Sequence, residues 1–142
     1  MTGGVLAGAL WVSLLGGALC VDRTAAFQVM VSRPIVAGPL TGLLLGAPEA
    51  GLVAGGLMEL LFIGDLPVGR YVPVNDTALT VAATAVAAYA LAATGTPAGL
   101  AGSFAAVPPA VLALLPLARL YNLADGLARR RNVGLYDRAM AR

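Results

Sequence analysis

Apolar and polar positions along the chain come in long blocks rather than alternating residue by residue. Residues 3–21 form an apolar run of 19 residues. At about 1.5 Å per residue such a helix reaches roughly 28 Å, close to the ~30 Å hydrocarbon core of a bilayer. Residues 22–33 mix charged and apolar positions. There Ala26, Phe27, Met30 and Val31 can share one helical face, so the stretch reads as an interfacial helix or as a connecting loop. Two shorter apolar pieces follow, 34–46 and 51–64, separated by Ala47-Pro48-Glu49-Ala50. Each would span only about 20 Å as a helix, short of the bilayer, and Gly38-Pro39 interrupts the first. Gly42/Gly46 and Gly51/Gly55 offer both pieces close-packing faces. The pattern predicts a re-entrant helical hairpin over 34–64, a form tolerated at membrane depth only where protein covers it or it lines a cavity.

Residues 65–76 read as a loop, and 77–94 as an apolar span rich in Ala and Thr. Gly95-Thr96-Pro97 reads as a turn. Residues 98–121 form a second long span, bent at Pro108-Pro109 and Pro116. Residues 122–142 are polar and basic and helical in part. The predicted fold is an all-α integral membrane protein. It has one membrane domain over 1–142, spans at 3–21, 77–94 and 98–121, a hairpin at 34–64 and a basic cytoplasmic segment at 122–142.

Composition turns the solvent from an assumption into an argument. The chain is 59% hydrophobic and 11% charged, with mean hydropathy +0.87. Soluble domains carry about 25% charge, so 142 residues could not be covered in water with so little. The basic residues are nine arginines, five of them after residue 128. The excess is therefore local, which excludes a nucleic-acid footprint and points to a cytoplasmic face beside anionic headgroups. If 34–64 dips in and returns, all nine arginines fall on one side and the amino terminus lies outside. Two tilted full passes give the same parity, whereas a single crossing would separate the tail from Arg23 and Arg33.

One cysteine and no histidine exclude an internal disulfide, a Cys/His metal cluster, a Ser/His/Asp triad and phosphohistidine chemistry. No cofactor is expected, and no Gly-Lys-Ser/Thr phosphate loop is present. Cys20 reads as a small buried hydrophobe. The chemistry that remains lies in residues 55–79. Glu59 sits in an apolar run, where a carboxylate costs a few kcal/mol and faces a cavity or a partner. It reads either as an acceptor for the hydroxyls of a polar solute or as a structural ion pair, for instance with Arg70. Asn75 and Asp76 open the next helix as N-cap and first-turn acid, and either role is compatible with touching solute. Asp65, Arg70 and Tyr71 read as interfacial loop residues, with Arg70 able to pair with Glu59 or Asp76. Arg129-Arg130-Arg131 reads as a solvated cytoplasmic face, with docking of a soluble partner as the alternative.

These residues also carry a resemblance. Arg33-Pro34, Gly38-Pro39-Leu40-Thr41-Gly42, Leu45-Gly46 and Gly55-Gly56 with Glu59 match in order and spacing. Ile63-Gly64, Gly69 and Asp76 with Ala78-Leu79 continue the match. Together they resemble subunit IIC of the mannose/fructose/sorbose family of the sugar phosphotransferase system, and the likeness extends more loosely along the whole chain. The resemblance implies a bacterial inner-membrane, multi-pass subunit that is not itself an enzyme. Such a subunit binds a hexose-type sugar and moves it inward with a IID membrane subunit, as part of an oligomer. Cytoplasmic IIA and IIB partners then phosphorylate the sugar. It also implies inverted repeats, an elevator-like movement, and sugar-site roles for Glu59, Asp76, Asn75 and Arg70. The sequence departs from the family at Met30, where a glutamine is usual, and at Asn75, where a proline often precedes the aspartate. Family chains are also longer, with a second half of membrane segments. Two other readings stay open. One is a truncated or divergent IIC acting as a non-transporting assembly or regulatory partner. The other is an unrelated small channel or scaffold.

Overall fold

The computed structural model describes residues 2–24, 30–64, 74–97 and 99–140. Five helices account for nearly all of them: α1 (Thr2–Thr24), α2 (Pro34–Leu44), α3 (Pro48–Phe62), α4 (Asp76–Thr94) and α5 (Leu100–Met140). No strand occurs among the described residues. Three helices are long and apolar enough to cross a membrane: α1, α4 and α5. The chain is an all-α membrane protein, as its hydropathy predicts.

Local chemistry sets most helix ends. Pro34 and Pro48 begin α2 and α3, where the missing N–H costs nothing and φ is already helical. Glu49 follows in the first turn of α3, favoured by the positive end of the helix dipole. The predicted break at 47–50 is therefore shorter than the sequence reading allowed: Pro48 starts a helix rather than interrupting one. Gly46 takes φ +71 between the two helices, a left-handed conformation that glycine adopts without a Cβ penalty. Asn75 caps α4 by accepting the Ala78 N–H at 3.0 Å, and Gly95 closes that helix in the left-handed region.

Helices α2 and α3 form an antiparallel hairpin held by glycine. A Cβ on Gly38 would collide with the Gly51 carbonyl, and one on Gly55 would lie 2.5 Å from the Pro34 carbonyl oxygen. Backbones can approach this closely only where no side chain intervenes. Pro39 does not end α2; it packs against the hairpin partner, with its Cδ 3.3 Å from where a Gly55 Cβ would stand.

Helix α4 is the hub. It packs against α1, α2, α3 and α5, and half of its span is buried, against 11% for α1. Its inward face is small: Thr77, Thr80, Ala83, Thr84, Ala87 and Ala88 are buried. Thr80 donates back to the Asp76 carbonyl at 2.7 Å, as Thr41 on α2 does to Ala37 at 2.8 Å. Such back-bonding satisfies the hydroxyl in an apolar surrounding. Helix α1 runs antiparallel to α4, with Cys20 beside Asn75 and the Tyr89 hydroxyl donating to the Val5 carbonyl at 3.3 Å.

The hairpin tip stops short of the far end of α4. Leu45 approaches Gly8 of α1 at the level of Tyr89, whereas α4 continues to Thr94, roughly 7 Å further. Helix α5 runs unbroken through Pro108, Pro109 and Pro116 and incorporates most of the predicted basic segment. The interfacial-helix alternative for 22–33 is met by a turn at 30–33, the remainder being the end of α1 and residues outside those described.

Candidate functional site

The polar residues gather at one end of the bundle. There the C-termini of α1 and α3 meet the N-termini of α2 and α4. The turn at residues 30–33 sits among them and is tied to three helices. From α1, the Asp22 carboxylate accepts the Ser32 N–H at 3.3 Å. From α4, the buried Thr77 hydroxyl donates to the Ser32 carbonyl at 2.6 Å. From α3, the Glu59 carboxylate pairs with the Arg33 guanidinium. Met30 opens this turn at φ +64, a left-handed conformation that costs a non-glycine residue roughly 1–2 kcal/mol.

Glu59 does not stand alone in an apolar run. It lies in the last turn of α3, alongside the first turn of α2. One carboxylate oxygen takes the Arg33 ion pair, and the other accepts the Ile35 N–H at 3.4 Å. The charge is thus placed at a helix N-terminus, where free N–H groups and the helix dipole favour an anion. Its side chain is 18% exposed and that of Arg33 is 52% exposed, so the pair spans the boundary between bundle and surface. Arg33 supplies the partner for which the sequence reading named Arg70; Arg70, Asp65 and Tyr71 lie outside the described residues. The motif Arg33-Pro34 did carry a signal for this pairing, since a proline at the first helical position leaves the preceding residue beside the helix N-terminus.

Asn75 and Asp76 start α4 at the same end. Asp76 accepts the Thr77 N–H at 2.9 Å and is partly buried. Asn75 does more than cap: its amide nitrogen donates to the Tyr121 hydroxyl at 2.8 Å and lies 3.5 Å from the Cys20 sulfur. One residue thereby links α1, α4 and α5. Sequence reasoning missed Tyr121, which sits in a long apolar helix 46 residues away, and nothing in that spacing announces the contact. Between α4 and α5 an open, mainly apolar groove of about 410 Å³ runs up to Asn75 and Tyr121.

The arrangement joins Glu59 and Asp76 through the single turn 32–33, with oxygen acceptors and a guanidinium at its rim. It offers hydrogen bonds and charge, with no nucleophile–base pair among the contacts described. Among the described residues no group of three or more His, Cys, Asp or Glu side chains could hold a metal ion.

The pattern of the family described as PTS system sorbose-specific IIC component matches residues 6–139. The chain is 35% identical over 98 residues to a protein of Escherichia coli strain K12, provisionally named N-acetylgalactosamine permease IIC component 2; that match covers 69% of this chain and 70% of the relative. It is 42% identical over 55 residues to N-acetylgalactosamine permease IIC component 1 of the same organism, covering 39% of this chain and 21% of the relative. It is also 35% identical over 60 residues to the PTS system sorbose-specific EIIC component of Lacticaseibacillus casei, covering 42% of this chain and 20% of the relative. No solved structure matches the chain.

Proposed function

The chain belongs to the sorbose-specific IIC family of phosphotransferase-system permease components, and on that premise we propose that it binds a hexose-type sugar and passes it inward across a bacterial inner membrane. Permease components of this kind are transporter subunits, so chemistry on the sugar belongs to other subunits of the system. In this reading the chain works beside a IID membrane subunit, and cytoplasmic IIA and IIB partners phosphorylate the sugar as it emerges. An amino-sugar such as N-acetylgalactosamine, or sorbose, is the first substrate to try, because the relatives are named for them.

The observation that carries the proposal is the placement of Glu59. Its carboxylate is fixed between the Arg33 guanidinium and the α2 N-terminus, at the rim of a short hairpin rather than in open lipid. Carboxylates accept hydrogen bonds from sugar hydroxyls, while guanidinium and backbone N–H groups donate to sugar oxygens. Asp76, one turn away through Ser32 and Thr77, is a second acceptor; Arg70, outside the described residues, enters this reading only as a donor that the family resemblance suggests. The test is sugar uptake in cells supplied with all partner subunits. Glu59→Gln, nearly isosteric and neutral, lowers uptake at least tenfold at unchanged membrane expression. Uptake at the unmodified level sinks the proposal.

The Arg33–Glu59 pair itself favours a second reading, in which Glu59 is a structural tie between α2 and α3. The two separate in one comparison: a structural tie makes Glu59→Gln lose thermal stability and uptake together, whereas a sugar ligand loses uptake while the melting temperature holds.

A further inference from the structure

Beyond the bundle, from Leu127 to Met140, every residue of α5 is exposed. Within this stretch Arg130 and Arg131 lie four and three residues before Gly134, and Arg138 lies four after it. Those spacings put all three on one helical face. Together with Leu135 they line an open notch of about 430 Å³ around Gly134. A Cβ at Gly134 would meet nothing within 4 Å, so the floor of the notch is bare backbone. Among the described residues, none of these three arginines makes a hydrogen bond or ion pair. Asp137, seven residues after Arg130, shares this face but leaves the arginines in excess, and like charges at these spacings destabilise a helix.

The same face is apolar on the side nearer the bundle. An adjoining groove is lined by Ala124, Leu127 and Ala128, then by Arg130, Arg131 and Asn132, with Leu135 beyond them. Running outward along α5, the surface thus offers hydrocarbon contact first and guanidinium groups second, the order in which a phospholipid presents acyl chain and phosphate. Helical side chains lean toward the helix N-terminus, here back toward the membrane span. The 41 residues of α5 measure about 61 Å, against roughly 40–45 Å for a bilayer with its headgroups. A tilt within the range of up to about 40° seen for membrane helices brings this face down to the headgroup layer.

We propose that Arg130, Arg131 and Arg138, set around Gly134, bind the phosphate of an anionic phospholipid, with its acyl chain against Ala124, Leu127 and Ala128. Guanidinium forks match phosphate oxygens in pairs, and a lipid anchored in the same leaflet is held at high effective concentration. A zwitterionic lipid brings its own ammonium group and neutralises nothing.

The test uses the full chain in nanodiscs of phosphatidylcholine doped with phosphatidylglycerol, with native mass spectrometry counting retained lipid. The unmodified chain enriches phosphatidylglycerol over phosphatidylcholine, and added salt weakens the enrichment. Replacing the three arginines with glutamine lowers apparent affinity at least tenfold. Gly134→Leu fills the notch at a position the fold leaves open and keeps every charge; it lowers retention as well. Unchanged retention in either variant overturns the proposal. So does displacement of the lipid by millimolar inorganic phosphate, which would make the notch a site for free phosphate. Helix content by circular dichroism accompanies each variant, and if the triple variant does not fold, the Gly134→Leu arm decides.

Discussion

At the scale of single residues, the polar end is built from side chains that serve more than one partner. Asn75 shows how far this changes a role. As a sequence position it reads as a helix cap and as a sugar contact. In the structure its oxygen takes the Ala78 N–H and its nitrogen the Tyr121 hydroxyl, with Cys20 alongside. These bonds occupy most of its hydrogen-bonding sites and fix the start of α4, and with it Asp76. Removing a cap costs about 1 kcal/mol, and the lost Tyr121 bond adds up to about 1 more. Asn75→Ala therefore lowers stability by roughly 1–2 kcal/mol, read as a lower thermal midpoint in detergent. Combined with Tyr121→Phe in a double-mutant cycle, it shows a coupling of at least about 0.5 kcal/mol. Strict additivity of the two changes would mean that the contact contributes nothing.

At the scale of elements, the helices legible in the sequence are those whose signal is local. The spans at 3–21 and 77–94 are long apolar runs, and α1 and α4 follow them within a few residues. The Asn75 cap and the Gly95 stop are written in residue type. The two short helices of the hairpin are legible too, through length and glycine spacing, although Pro48, a separator by sequence pattern, is a helix start. Contacts between elements were not legible. Arg33 reaching Glu59 depends on how α2 lies against α3, and Thr77 reaching Ser32 depends on α4 packing beside the turn; neither distance in sequence carries a signature. The hairpin contact makes a sharp prediction. Gly51 faces the Gly38 backbone so closely that a Cβ collides with the Gly38 carbonyl, while a Cβ on Gly56 meets nothing within 4 Å. Gly51→Ala costs at least about 1–3 kcal/mol by overpacking. Gly56→Ala gains up to about 1 kcal/mol, because alanine is the better helix former. Equal thermal midpoints for the two variants would rule out close backbone packing between α2 and α3.

At the scale of the whole molecule, the ends of the helices agree with the placement of arginine. Asp22, Arg33, Glu59, Asn75 and Tyr121 meet at one end, and α5 continues past that end into its arginine-rich extension. The turns at Gly46 and Gly95 point the other way. Since Leu45 stops near Gly8 and Tyr89 while α4 continues to Thr94, the hairpin turns back before the bundle ends. We infer that α2 and α3 enter and leave the membrane from the cytoplasmic side, with α1, α4 and α5 crossing fully. Single cysteines in a Cys20→Ala background test this in right-side-out and inside-out vesicles with a membrane-impermeant maleimide. Cysteine at Asn132 reacts only from the cytoplasmic face, and cysteine at Thr96 only from the outer face. Gly46 is exposed on the bundle, with nothing within 4 Å of a Cβ there, yet cysteine at Gly46 is protected from both sides, because at that depth it faces hydrocarbon and not water. Labelling of Gly46 from outside would make α2 and α3 two full, tilted passes. That result would move Glu59 no further from Arg33, but it would open the hairpin tip to the opposite compartment.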